Sequence, residues 1–114
     1  MRLPSTIKFA DKKIKNSFEK LKQSKTEDKQ LYDFLERAFK DIEENAFCGI
    51  RVPKKLIPKE YKKKYSIDNL WKYNLPNAWR LIYSVGKEEL IVVSIILEWL
   101  DHTSYSRKFG YRKK

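Results

Sequence analysis

The chain has 114 residues, 41% of them hydrophobic and 14% aromatic, enough to pack one domain spanning residues 1–114 and too much for wholesale disorder. It carries 26 Lys and Arg against 15 Asp and Glu, a net charge of +11, which favours a polyanionic partner. One cysteine (Cys48) and one histidine (His102) exclude an internal disulfide framework and a structural zinc site, and only three glycines exclude a Gly-rich phosphate loop.

In chain order, Thr6–Phe9 reads as a short first strand. Asp11 then caps a helix whose Ala10, Ile14, Phe18 and Leu21 recur at helical spacing. Ser24 followed by Glu27 has the pattern of a capping box, opening a second helix with Leu31, Phe34, Leu35, Ala38 and Ile42 on one face and a stop near Asn45. The short polar link makes the two helices an αα-hairpin.

From Arg51 to Tyr65 the periodicity breaks at Pro53 and Pro58, and the stretch reads as a basic connecting segment with one helical turn over Lys59 to Lys64. Three strands follow: Ile67–Leu75, Trp79–Val85 and Leu90–Leu97. The second alternates, with Trp79, Leu81, Tyr83 and Val85 on one side and Arg80, Ile82 and Ser84 on the other. The third is a nearly continuous apolar run, as expected of a central strand buried on both faces. The order β-α-α-β-β-β is that of an α+β domain with its helices on one side of the sheet. No leader-like or membrane-spanning apolar run is evident, so a cytoplasmic protein without membrane association is expected.

The charge is uneven. Residues 1–48 carry 11 Lys and Arg against 9 Asp and Glu, whereas residues 49–114 carry 15 against 6. The densest basic stretches hold Lys54, Lys55, Lys62, Lys63 and Lys64, then Arg107, Lys108 and Arg112, with Trp71, Tyr73, Trp79, Tyr105 and Tyr111 among them. Cations that hold phosphates beside aromatics that stack on bases make RNA a natural partner. Solvated lysines and core aromatics would give the same pattern.

No Ser-His-Asp set or carboxylate pair stands out. His102, just past the apolar strand, is the side chain best suited to moving a proton near neutral pH. Arg80 lies in an otherwise apolar strand and Lys72 sits between Trp71 and Tyr73, so either can point to solvent or grip a phosphate. Whether the two meet depends on register. A two-residue loop at Pro76-Asn77 sets Arg80 opposite Tyr73; a longer loop or a bulge sets it opposite Asn74, on the face of Lys72.

The element order, the segment Leu75-Pro76-Asn77-Ala78-Trp79-Arg80-Leu81-Ile82-Tyr83-Ser84-Val85 and the stretch Asp101-His102-Thr103-Ser104-Tyr105 together resemble the RelE/ParE superfamily of toxins, with a C-terminal His-x-x-Tyr similar to that of its HigB-like and YafQ-like branches. The resemblance implies a small antiparallel sheet packed on the helical hairpin. It also implies a toxin of a type II toxin–antitoxin pair: a ribosome-dependent mRNA interferase without metal or other cofactor, in which the 2′-hydroxyl attacks the adjacent phosphate. Carried over by position, Arg80 stabilises the phosphorane, Lys72 is a strand lysine of the site, His102 transfers a proton and Tyr105 positions or stacks on the substrate. MRNA, the ribosome and an acidic antitoxin are the implied partners.

The chain departs from RelE itself at Asn74, where a second strand lysine would stand, and at the less cationic Glu98-Trp99-Leu100-Asp101. A second proton-transfer group is open among Tyr105, Asp101 and Glu98. A ParE-like gyrase inhibitor and a basic RNA- or ribosome-binding module without catalysis are the alternatives.

Overall fold

The computed structural model describes residues 2–110. It is an α+β domain in the order β1 (Thr6–Phe9), α1 (Lys12–Lys22), α2 (Thr26–Glu44), β2 (Ile50–Arg51), α3 (Lys59–Tyr65), β3 (Trp71–Asn74), β4 (Arg80–Glu88), β5 (Ile91–Leu100) and α4 (His102–Phe109). Short 3-10 turns cover Lys54–Leu56 and Pro76–Ala78. Among the described residues no helix is long and apolar enough to cross a membrane.

The helical hairpin forms as its periodicity dictates. Asp11 accepts a hydrogen bond from the Ile14 amide at 2.9 Å and so caps α1. The Ser24 capping box does not form. The Ser24 hydroxyl turns back to the Lys20 carbonyl at 2.9 Å, and Lys25 takes the N-cap of α2 without a side-chain cap. Glu27 and Asp28 in the first turn of α2 offset its dipole instead. Leu31, Leu35, Ala38 and Ile42 are buried and Phe34 is partly so, giving α2 the inward stripe its sequence shows.

The five strands form one sheet in the order β1-β5-β4-β3-β2. It is mixed rather than antiparallel, because β1 runs parallel to β5, from Thr6 opposite Val93 to Phe9 opposite Ile96. Partners almost 90 residues apart carry no local turn that would reveal their relative direction. Ser94, fully buried on β5, shares a 2.8 Å hydrogen bond with Ser5, whose hydroxyl donates to the Ile42 carbonyl. The segment before β1, the end of α2 and strand β5 are thereby joined.

The sheet is covered on both faces, not on one. Leu81, Tyr83 and Ile96 pack with Trp71 against the hairpin, while Leu70, Ile82 and Leu97 pack with Val52, Ile57, Tyr61 and Tyr105 under α3 and α4. Strand β2 and helix α4 are additions to the pattern read from sequence. Two residues of strand and an eight-residue helix give too short a periodicity to stand out. The last three strands also shift: β3 is shortened to four residues, β4 and β5 run on to Glu88 and Leu100, and Leu90, read as the start of the last strand, is left exposed outside it. Strands β4 and β5 meet in a tight turn at Glu89-Leu90, with Glu89 at φ 55°.

The link from α2 to β2 closes on Tyr83. Its buried hydroxyl donates to the Ala46 carbonyl at 2.7 Å and accepts the Gly49 amide at 3.1 Å; burial pushes the phenol well above its ordinary range. Gly49 passes so close that an added Cβ would lie 2.6 Å from the Lys72 carbonyl oxygen and 2.8 Å from the Tyr83 hydroxyl. Gly49→Ala should therefore cost about 1–3 kcal/mol of stability in a denaturant titration, because the clash is partly with backbone.

Candidate functional site

The site lies on the sheet face beneath α4. Three-residue turn Pro76–Ala78, closed by a 2.9 Å bond from the Leu75 amide to the Trp79 carbonyl, sets Asn74 opposite Arg80 and Lys72 opposite Ile82. Of the two registers open at the sequence level, this is the one that puts Lys72 and Arg80 on the same face. The turn is made by Asn77 and Ala78, both left-handed at φ 62° and 63°. Asn tolerates that conformation; for Ala it is a strain that the flanking strands hold in place.

Helix α4 brings the third member. Asp101 caps it by accepting the Ser104 amide at 2.8 Å, and Gly110 ends it in the left-handed conformation. The inward face presents Tyr105 and, one turn on, Phe109, with rings stacked 4.5 Å apart. Lys72 Nζ donates to the Tyr105 hydroxyl at 2.9 Å and lies 5.1 Å from its ring centre. The Arg80 guanidinium lies 5.1 Å from the same ring. Two cations thus converge on one phenol, where a dianionic group would be stabilised by both. Arg80 donates only a long 3.5 Å bond to the Trp79 carbonyl, and its buried Nε has no hydrogen-bond partner among the described residues. That Nε is enclosed, so any donor Arg80 offers a ligand lies on its terminal nitrogens.

Tyr105 is 2% exposed. A ring buried in this way leaves no free face for a nucleobase, and its hydroxyl and ring meet Lys72 and Arg80 instead. His102 is the first residue of α4, exposed, beside a shallow recess it lines with Thr103, Ser106 and Arg107. It follows Leu100 by two residues, and Leu100 is the strand partner of Arg80, so its backbone lies within about 7 Å of that partner.

Next to this group sits a second polar cluster that sequence reasoning did not assemble. Tyr61 of α3 donates a short hydrogen bond to Glu98 of β5. Lys108 of α4 donates to Glu98 at 2.8 Å, pairs with Glu60 at 3.1 Å and covers the Tyr61 ring at 5.1 Å. Burial, together with the Glu98 carboxylate, pushes the Tyr61 phenol far up. Burial works to lower the Lys108 ammonium, but its bonds to Glu98 and Glu60 outweigh that and leave it above its ordinary value. Lys108, named for RNA, is thus engaged by two carboxylates with its side chain only 25% exposed. Glu98 and Asp101, both open as second proton-transfer groups, are occupied by the clamp and by the helix cap. The signal for α4 was present in Asp101, Ser104 and the terminal Gly110. That for the Glu98 clamp was not, since its partners come from three elements.

The other described basic residues expected to hold RNA are exposed. Lys54 and Lys55 are exposed on the 3-10 turn, Lys62, Lys63 and Lys64 on α3, and Arg107 on α4. Arg112, with Tyr111, falls outside the described residues. No protein-family model, curated protein or solved structure matches the chain.

The cap of α4 gives a pH test of how Tyr105 is held. The Ser104 amide keeps the Asp101 carboxyl below its ordinary value of 3.8. A lowered folded-state pKa means the cap's stabilisation is complete above about pH 4 and is lost as pH falls through the folded value. Asp101→Ala should cost about 1 kcal/mol at pH 7 in thermal or denaturant melts, and the difference from wild type should shrink below pH 4.

Proposed function

We propose that the chain is a RelE-like mRNA interferase of a toxin–antitoxin pair, acting on mRNA at the ribosome. The observation that carries this reading is the convergence of Lys72 and Arg80 on Tyr105 beneath α4. Backbone cleavage by the neighbouring 2′-hydroxyl passes through a phosphorane with excess negative charge, and fixed cations lower that barrier most where they need no reorganisation. In this mechanism the 2′-oxygen bonds to phosphorus as the bond to the 5′-oxygen breaks. The products are a 2′,3′-cyclic phosphate and a 5′-hydroxyl.

Arg80 holds the phosphorane oxygens with its planar fork and Lys72 adds a second charge. Tyr105 fixes both cations. His102, exposed at the mouth of α4, takes one proton step, either removing the 2′-hydroxyl proton or supplying one to the leaving 5′-oxygen. The exposed lysines of α3 and of the Lys54–Leu56 turn hold ribosome or mRNA phosphates. An acidic antitoxin that folds over the basic face is the expected protein partner, in the cytoplasm.

A non-catalytic RNA- or ribosome-binding module is the second reading. It is favoured by the engagement of Glu98 and Asp101, which commits two of the three candidates for a second proton-transfer group to structural contacts. One experiment separates the two: mRNA cleavage during cell-free translation, mapped by primer extension. Wild type should give ribosome-dependent cuts at codon-spaced positions. Arg80→Ala should lower the rate by about 10²-fold or more with little change in melting temperature, and His102→Ala by about 10²–10⁴-fold. Intact mRNA with the wild-type protein would discard the interferase reading, and an undiminished rate in His102→Ala would remove that residue from the mechanism.

A further inference from the structure

At the β2 edge of the sheet, away from the Lys72–Arg80 pair, an aromatic and cationic surface remains that the cleavage reading does not use. Phe47, in the loop before β2, is 45% exposed although one face of its ring is stacked on Trp71, with centroids 5.2 Å apart and planes 22° from parallel. Arg51, the strand partner of Trp71, lies with its guanidinium 5.8 Å from the Trp71 ring. Phe47, Arg51, Lys54, Asp68, Asn69 and Trp71 line a recess of about 260 Å³.

A monomeric chain gains little by holding a phenylalanine half in water, and the residue is not isolated: it extends an aromatic stack outward from the core. Such a ring, with one face supported and the rest exposed, is the form of platform on which an unpaired base stacks. Arg51 and Lys54 supply the charge that holds the adjoining phosphate. Asn69 has its side chain committed to the Val85 amide at 2.9 Å and the Val85 carbonyl at 2.9 Å, so it forms a fixed wall rather than a contact that adapts. Asp68 is the recess's carboxylate, exposed and bonded to the Asn69 amide at 2.9 Å. An acidic peptide would meet Asp68 as a like charge, whereas the amino groups of a base can donate to it. That difference favours RNA over an acidic protein as the occupant.

We propose that Phe47, backed by the buried Trp71 ring and flanked by Arg51 and Lys54, forms a stacking subsite for one unpaired base of single-stranded RNA, distinct from the place of cleavage. A strand held there passes around the short β2 edge. From Trp71 to Asn74, the partner of Arg80, is a run of about 10 Å along β3. The inference concerns binding alone and holds whether or not the RNA is cut.

The test is the affinity of the full chain for a fluorescent 2′-O-methyl hexaribonucleotide, which cannot be cleaved by its own 2′-hydroxyl, measured by anisotropy at several salt concentrations. It is repeated with hexamers made abasic at one position in turn. Wild type should bind one of the abasic hexamers at least about fivefold more weakly than the intact one. Phe47→Ala should weaken the intact hexamer to the same degree and erase the abasic difference, while Phe47→Tyr restores both. Arg51→Ala should make the slope of log affinity against log salt shallower by about 0.7. Circular dichroism melts of each variant report folding, and exposed Phe47 should tolerate the change.

Equal binding of intact and abasic hexamers by wild type, or an abasic difference that survives Phe47→Ala, would overturn the proposal. So would Phe47-dependent binding of a poly-glutamate peptide without any abasic difference, which would assign the surface to a protein partner. Failure of mRNA cleavage with the Phe47 dependence intact would count against the interferase alone; cleavage without that dependence would count against this subsite alone.

Discussion

The arrangement depends on one extra residue in strand β5. Opposite Ile82 and Tyr83 the partner positions on β5 jump from Glu98 to Ile96, leaving Leu97 as a bulge. A strand that alternates strictly would carry the phase of Ile96 through to its end, turning Glu98 and Leu100 toward the helical hairpin and Trp99 away from it. With the bulge, Leu97 and Glu98 both face the layer of α3 and α4, Trp99 joins the aromatic residues under the hairpin, and Leu100 packs beneath α4. The bulge therefore decides how α4 leaves the sheet, and with it where Tyr105 meets Lys72 and Arg80.

A bulge that points a glutamate at a covered face has to be compensated, and the Tyr61 hydroxyl and the Lys108 ammonium do so. Both come from helices that would otherwise touch the sheet mainly through apolar side chains. The Glu98 clamp thus holds α3 and α4 in a fixed relation to β5 at a modest energetic gain, since a half-exposed ion pair such as Lys108 to Glu60 contributes little by itself. Its value is geometric. Fixing the two helices fixes the ring on which the cations rest.

The two faces of the sheet have different characters as a result. The hairpin side is a closed aromatic core: Phe18 lies against Phe9, Phe39 and Tyr32, and Trp99 meets it edge-on. The α3 and α4 side mixes rings with charges, as in the pairing of Lys72 and Arg80 with Tyr105 and of Lys108 with Tyr61. Lys72 and Arg80 belong to the second, and Arg51 lies against Trp71 along the β2 edge.

Much of this was legible in the residues alone. Periodicity determined β1, α1 and α2 and the Asp11 cap, because those signals are local. Composition determined the basic second half. Periodicity also set Arg80 on the face of Ile82, and left open whether Lys72 shared it. What only the tertiary structure decided was non-local. The parallel pairing of β1, the two-residue strand β2, the second helical layer, the burial of the Tyr105 ring and the Glu98 clamp all join segments tens of residues apart. Local sequence records the preferences of a segment but not the partner it will meet. The physical reason is that register and direction in a sheet are fixed by which side chains fill the space between layers, and that space exists only once the layers have come together.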